Sequence, residues 1–361
     1  MGPMPIRVVQ WATGNCGQRA LREVIRDPRL QLVGVLTYDP EKNGVDAGDL
    51  CGEPVTGIKA SMDREGILAL EADCVSYMPR ATGSGITRAG LTIEQVLDDA
   101  LAIVGAGKHL VTTCTDFFDG GHERLGEGRE ELHAVCARTG ATIYASGGDP
   151  GWFTETLPLP FLANMRRIDH IELEEFGDMS RRPSPHMLFE QMRFGKPLEE
   201  YDVNRRKTHL YGEYLATVRS LANTAGLEID EWGVEGGVAA ARVDTEIAAG
   251  SLKAGTAAAQ RIIIYGKSRG VERIRFIQYG YVTRDIVPDW GMGPLGWRLK
   301  FKGDTPLHVD IPWQVPLDRI HDFVPGFNVN SLVNSIPYLA AAPAGFVTAA
   351  DLQPMLLAGP R

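Results

Sequence analysis

The chain has 361 residues, enough for about two domains of ordinary size, and its 44% hydrophobic and 23% charged content is that of a globular protein rather than a disordered one. Lys and Arg number 37 against 46 Asp and Glu, a formal net charge of −9, which excludes the basic footprint of a nucleic-acid binder. Glycine (41) and proline (22) are abundant without forming a low-complexity tract, so many sharp turns are expected.

Five cysteines without a Cys-x-x-Cys pair point to a reduced chain with no zinc framework, and no ligand cluster suggests another metal. No apolar run reaches the roughly 18 residues of a membrane span, and the N-terminus lacks a basic-then-apolar leader pattern. A soluble, cytoplasmic protein is expected.

Residues 6–11, Ile-Arg-Val-Val-Gln-Trp, form a β-rich run that flows into Ala12-Thr13-Gly14-Asn15-Cys16-Gly17. Ala20, Leu21, Val24 and Ile25 then recur at helical spacing, with Pro28 as a stop. Strand, glycine turn and helix in that order are the context of a dinucleotide fingerprint. Gly14 lets backbone approach a pyrophosphate, Gly17 lets the helix pack closely, and the helix N-terminus favours the anion. Ala12 stands where the first glycine of G-x-G-x-x-G would fall.

The next apolar run, residues 30–39, ends on Asp39, 22 residues beyond Gly17. That spacing suits a carboxylate on the ribose hydroxyls; the alternative is that Asp39 only opens the Asp39-Pro40 turn. Asp39 favours NAD, Lys42 offsets that preference, and the choice between NAD and NADP stays open. Residues 72–77 read as a further strand, followed by Pro79 and Arg80. Arg80 either approaches the cofactor or is an exposed loop residue.

Alternation continues with a helix over 93–104, a strand over 109–114, a helix over 125–138 and a strand over 141–145. This predicts a doubly wound parallel sheet of Rossmann type, an α/β domain over residues 1–147. A turn-dense Gly147-Gly148-Asp149-Pro150-Gly151 leads into an expected helix carrying Trp152, Phe153 and Leu162. Beyond it the period becomes two. Residues 260–265 and 273–281 flank a turn over 266–270, and residues 297–301 and 307–311 flank a turn over 302–306, which predicts antiparallel hairpins. Residues 148–325 are thus an α+β domain built on a mainly antiparallel open sheet. Residues 326–361 form a C-terminal segment, helical over 331–342, expected to return to the first domain.

In an open parallel sheet the ligand lies beyond the carboxyl ends of the strands. Those loops are residues 13–16, 79–83, 113–119 and 146–151. The predicted cofactor-binding residues are Thr13, Gly14, Asn15, Cys16, Gly17, Asp39, Lys42, Pro79, Arg80, Thr113, Cys114 and Pro150. A hydride-transfer enzyme needs the cofactor oriented and one group to polarise or protonate the reacting carbonyl or imine. Asp116 is the candidate, the alternative being that it caps the next helix. Cys114, with His122 as base, would permit an acylating aldehyde chemistry instead; a cysteine at a strand end is otherwise a small buried hydrophobe. Arg181, Arg182 and His186 lie on a loop of the second domain and either select substrate or are solvated.

Four stretches together resemble a known family: Gln10 through Gly17, Tyr38-Asp39-Pro40-Glu41-Lys42-Asn43-Gly44-Val45-Asp46-Ala47-Gly48, Gly148-Asp149-Pro150-Gly151, and Asn334-Ser335-Ile336-Pro337 with Ala342-Pro343-Ala344-Gly345. They look like the dihydrodipicolinate-reductase-like family, in the group of native amine dehydrogenases and 2,4-diaminopentanoate dehydrogenase. The resemblance spans nearly the whole chain. It implies a Rossmann domain with an α+β substrate domain, a homodimer, and NAD(P)H-dependent interconversion of a small amine with a ketone or aldehyde and ammonia. Where that family places a glutamate after the fifth strand, this chain has Thr115-Asp116, so the resemblance puts the catalytic acid there, shorter by one methylene. The paired histidines of true dihydrodipicolinate reductases do not occur in Glu174-Glu175-Phe176-Gly177-Asp178-Met179-Ser180, which disfavours lysine biosynthesis. The leading reading is an NAD(P)-dependent amine dehydrogenase or imine reductase; a carbonyl reductase, an acylating aldehyde dehydrogenase using Cys114 and a non-enzymatic dinucleotide sensor are the alternatives.

Overall fold

The computed structural model describes residues 4–80, 90–114, 117 and 125–352. The chain divides into two compact units, one made of Met1–Thr156 with Asp322–Arg361 and the other of Leu157–His321.

The first unit opens on strand β1 (Ile6–Trp11), whose Val8, Val9 and Trp11 are buried, and on helix α1 (Asn15–Arg26), which turns Ala20, Leu21 and Val24 to the core. Strand β2 (Leu30–Leu36), helix α2 (Ala47–Cys51), the short strand β3 (Ala60–Ser61) and helix α3 (Arg64–Leu68) follow. The expected strand over 30–39 therefore stops three residues before Asp39, because Asp39 and Pro40 start a 3-10 turn. Strand β4 (Cys74–Tyr77) precedes helix α4 (Ile93–Gly105), whose first turn is closed by a reciprocal Thr92–Gln95 capping box. Strand β5 (His109–Thr112), helix α5 (Gly128–Thr139), which ends on left-handed Gly140, and strand β6 (Thr142–Ala145) complete the alternation.

In the second unit a short helix α6 (Leu159–Leu162) precedes strand β7 (Ile168–Asp178), helix α7 (Val203–Thr224) and strand β8 (Glu231–Ala241). A small ribbon of β9 (Thr245–Ile247) and β10 (Gly250–Leu252) leads to the long hairpin of β11 (Ala257–Ser268) and β12 (Val271–Tyr281). Strand β13 (Ile286–Val287) and the hairpin of β14 (Gly296–Gly303) and β15 (Leu307–Pro312) end the unit's strands. The chain re-enters the first unit along α8 (Ile320–Leu339) and closes its sheet with β16 (Gly345–Val347).

The first sheet runs β16-β6-β5-β4-β1-β2-β3 with every pairing parallel. The order reverses at β1, which is flanked by β4 and β2, so the switch point lies at the glycine turn. Helix α8 covers this sheet: Val329, Leu332, Val333, Ile336 and Leu339 share one buried cluster with Val8, Val24, Val111 and Tyr144. Each such side chain contributes roughly 1.5–3 kcal/mol by leaving water, which is why α8 forms although it carries Pro325 and Pro337.

The second sheet runs β13-β8-β11-β12-β7-β14-β15. Its pairings are antiparallel except β12 with β7, which are parallel. Tyr214 of α7 stacks on Phe276 at 4.7 Å and shares a hydrogen-bonded group with Gln278 and Glu175. Alternate residues of β7 and β14 pair by charge: Lys300 reaches Glu172 at 2.7 Å and Glu174 at 2.6 Å, and Arg298 reaches Glu174 at 3.6 Å and, on β15, Asp310 at 2.6 Å.

Three expectations change here. The helix predicted to carry Trp152, Phe153 and Leu162 is broken in two: a helical stretch ends at Thr156, and α6 begins separately at Leu159 behind Pro158. The turn of the first hairpin narrows to Arg269 and Gly270, both with positive φ. The C-terminal helix begins at Ile320 rather than 331 and stops at Leu339.

Candidate dinucleotide-binding site

At the end of β1 the backbone of Ala12 is left-handed, φ +75°. Glycine reaches this conformation freely, while alanine pays about 1 kcal/mol. The chain thus keeps the shape of the fingerprint's first glycine without the glycine. Ala12→Gly is expected to preserve stability or raise it by up to about 1 kcal/mol, as read by urea unfolding; a loss above 1 kcal/mol would contradict the strain.

Gly14 is the N-cap of α1 and makes no side-chain cap, and the first turn of the helix holds no acidic residue. Among the described residues no side chain caps this positive helix end. Among the described residues, a Cβ added at Gly14 would meet no atom within 4 Å, so they leave space beside this turn. Gly17 is the reverse. A Cβ there would lie 2.1 Å from the carbonyl oxygen of Ala12, and that oxygen is held by the buried Gln10 amide at 3.0 Å. Gly14 and Asn15 are exposed, Cys16 is half-buried and Thr13 is buried. A cradle that glycine leaves open at an uncapped helix end fits a pyrophosphate.

Beside the turn, Thr13 Oγ1 and Thr37 Oγ1 are 2.9 Å apart, and Thr37 Oγ1 accepts the Asp39 N–H at 3.2 Å. The Lys42 ammonium donates to the Thr13 carbonyl at 2.9 Å and lies 3.7 Å from Asp39 Oδ2. Asp39 Oδ1 accepts the Glu41 N–H at 3.1 Å. Asp39 therefore opens the turn, the local alternative, and also sits beside the glycine loop, with its side chain 43% exposed. An acid and an ammonium side by side there offer acceptors to ribose hydroxyls and a cation to a ribose phosphate.

A polar group below this rim escaped sequence reasoning. Asp99 of α4, buried, accepts from Tyr38 OH at 2.9 Å, Tyr77 OH at 3.1 Å and Arg64 Nε at 2.8 Å. Trp11 Nε1 donates to Tyr38 OH at 2.7 Å. Burial above all, with the Asp99 charge added, pushes both phenols well above the ordinary tyrosine range and keeps them donors. The group ties the carboxyl ends of β1, β2 and β4 to α4. Nothing local marks it in the sequence, since its members are spread from residue 11 to 99.

At the ends of β4 and β5, Pro79 is buried, Arg80 exposed, Thr113 half-buried and Cys114 buried. The Cys114 thiol faces the Pro79 carbonyl at 3.9 Å and its N–H is held by Thr112 Oγ1 at 3.0 Å. This is the packing of a small buried residue rather than of an accessible nucleophile. Pro150 is half-buried in the β6 loop. Thr115 and Asp116, the candidate catalytic residues, lie outside the described residues, as does His122. Arg181 and His186 are exposed, and Arg182 is half-buried, where burial lowers its guanidinium below the ordinary range. Among the described residues no group of three His, Cys, Asp or Glu is placed to hold a metal, and no helix is long and apolar enough to cross a membrane.

No family model matches the chain. A curated amine dehydrogenase of Streptomyces virginiae is 28% identical over 359 residues, covering 96% of both chains. Among solved structures, an amine dehydrogenase of Mycobacterium smegmatis superposes with a TM-score of 0.69 at 19% identity over 97% of both chains. A probable dehydrogenase of Thermotoga maritima follows, with a TM-score of 0.53 at 12% identity over 96% of this chain and 92% of that one. An Agrobacterium radiobacter oxidoreductase, solved with NAD+, L-tartaric acid and magnesium, gives 0.51 at 9% identity and the same coverage. Along nearly its whole length, therefore, the chain is similar to an amine dehydrogenase and shares the two-sheet fold of solved dehydrogenases.

Proposed function

We propose that the chain is an NAD(P)-dependent oxidoreductase acting at the C=O or C=N bond of a small substrate, and that it is an amine dehydrogenase. It converts a primary amine, water and oxidised cofactor to a ketone or aldehyde, ammonium and reduced cofactor, or runs the reverse. The observation that carries this reading is the uncapped first turn of α1 behind Gly14, at the switch point of a parallel sheet and beside Asp39 and Lys42. The full-length likeness to a curated amine dehydrogenase supports the substrate class.

Thr13, Gly14, Asn15, Cys16 and Gly17 hold the pyrophosphate, largely through backbone. Asp39 binds the adenosine ribose, and Lys42 beside it is the cation available to a 2′-phosphate, so the choice between NADH and NADPH rests on these two side chains. Pro79, Arg80, Thr113, Cys114 and Pro150 border the rest of the cofactor, which supplies the hydride. Asp116, with Thr115, exchanges the proton at the imine or carbonyl. Residues 1–147 are the cofactor domain, residues 148–325 the substrate and dimerisation domain of a homodimer, and residues 326–361 a segment that completes the first. The five cysteines are all thiols, four of them buried, which suits a reducing cytoplasm.

Oxidation of NADH and of NADPH is measured against a panel of ketones and aldehydes, with and without ammonia. Ammonia-dependent oxidation is expected, with turnover about 10²-fold lower in Asp116→Asn. No oxidation of either cofactor across the panel overturns the reading, and normal turnover in Asp116→Asn overturns the assignment of the acid.

A further inference from the structure

Two loops of the first unit that are distant in its sheet converge on one side chain. Cys16 follows β1 in the first turn of α1, and Gly148 follows β6. In the order β6-β5-β4-β1 these strands are three positions apart, about 14 Å across the sheet. The carboxamide of Asn328 nevertheless touches both. Its Oδ1 accepts the Gly148 N–H at 3.3 Å, and its Nδ2 donates to Cys16 Sγ at 3.9 Å.

The neighbourhood is built for this contact. Asn328 stands on α8, and the adjoining Val329 is fully buried in the sheet's core cluster, so the helix cannot drift. A Cβ at Gly148 would lie 2.9 Å from Asn328 Oδ1 and 3.2 Å from the Phe327 carbonyl oxygen, so the loop is pressed onto the helix. A Cβ at Gly326 would lie 3.3 Å from the Arg19 guanidinium, which puts α1 against the same stretch of α8. The β6 loop is locked in turn by Trp152 N–H on Gly147 O at 2.8 Å and Gly151 N–H on Thr154 Oγ1 at 2.9 Å. Burial raises the Cys16 thiol above its ordinary range, so it stays neutral beside the turn and adds no negative charge where the pyrophosphate belongs.

We propose that Asn328 is a positioning residue for the nicotinamide half of the cofactor, fixing the β6 loop to the phosphate-binding turn so that a dinucleotide spans both. This rests on the dinucleotide reading of the Gly14 turn. The adenosine end, bordered by Thr37, Asp39 and Lys42, has no contact with Asn328 among the described residues, so the two halves are separable.

The test compares wild type with Asn328→Ala and with Asn328→Leu, which keeps the volume but deletes both hydrogen bonds. Dissociation constants are measured for NADH, NADPH and AMP by titration calorimetry, together with the melting temperature. In both variants the dinucleotides are expected to bind about tenfold more weakly, the size of one net hydrogen bond, while AMP stays within twofold. AMP and dinucleotides weakening together would show a role in folding alone, and unchanged dinucleotide affinity would show no role; either overturns the proposal. Wild type binding neither dinucleotide nor AMP overturns the site reading itself, an outcome distinct from both.

Discussion

Alanine at Gly17 is expected to destabilise the first unit by about 3 kcal/mol, as overpacking against fixed backbone does, and to abolish NAD(P)H binding, whereas alanine at Gly14 leaves folding intact and removes binding alone. The two glycines are three residues apart and chemically identical, yet their surroundings are opposite. At Gly17 the new methyl would meet the Ala12 carbonyl carbon at 2.8 Å as well as its oxygen at 2.1 Å. Neither is the free end of a flexible side chain. Relief requires α1 to move off β1, and that uncovers Ala20, Leu21 and Val24, each fully buried. At Gly14 the methyl would meet none of the described residues, with φ at −72°, where any residue is at ease. Its effect is therefore on whatever approaches the turn, and a pyrophosphate needs that space. Urea unfolding with NADH and NADPH titration reads both variants. A Gly14→Ala protein with wild-type affinity would remove the pyrophosphate from this turn; a Gly17→Ala protein of wild-type stability would show that α1 has slack the geometry denies.

Replacing Asp99 by alanine is the second large effect, about 3 kcal/mol of stability, the range found when one member of a buried ionic group is removed. The cost arises from what is left behind. Tyr77 is wholly buried and would lose its acceptor, Tyr38 would keep only the Trp11 N–H, and Arg64 would lose its best-buried partner while retaining exposed Asp98 at 2.7 Å and Glu65 at 3.0 Å. Tyr77→Phe deletes one donor and leaves the acid with two others, so it is expected to cost only about 1 kcal/mol. Because the group ties the carboxyl ends of β1, β2 and β4 together, Asp99→Ala should also weaken cofactor binding more than Tyr77→Phe does. Equal stability losses in the two variants would mean that the three donors are satisfied elsewhere.

The parallel half was readable because its signals are local. A buried parallel strand is a short continuous apolar run, a crossover helix shows its 3.6 period, and the glycine turn sits between them. Strands β1, β2, β4, β5 and β6 each hold such an apolar pair at their centre or start, Val8-Val9, Leu32-Val33, Cys74-Val75, Leu110-Val111 and Ile143-Tyr144. In the second half the same reasoning found the two hairpins, whose turns lie next to them in sequence, and missed β7, α7 and β8. Strand β7 reads Ile-Asp-His-Ile-Glu-Leu-Glu-Glu-Phe-Gly-Asp, too acidic for a strand by propensity. It is one because Lys300 and Arg298 of β14, over a hundred residues later, neutralise Glu172 and Glu174. Strand β8 holds three glycines and three alanines and is ordered by its long pairing with β11.

The sequence by itself determined the cofactor half: the alternation, the turn at residues 12–17, and the acid and lysine at Asp39 and Lys42. These follow from backbone preferences and hydrophobic period within windows of about a dozen residues. Tertiary structure alone decided that Ala12 takes the glycine conformation and that Asp99 collects three donors. It also decided that Asn328, more than 300 residues from Cys16, joins the two loops of the cofactor rim. Each of these depends on contacts between segments far apart in the chain. Their favourable energy exists only after the intervening residues have been ordered, so no local pattern carries it.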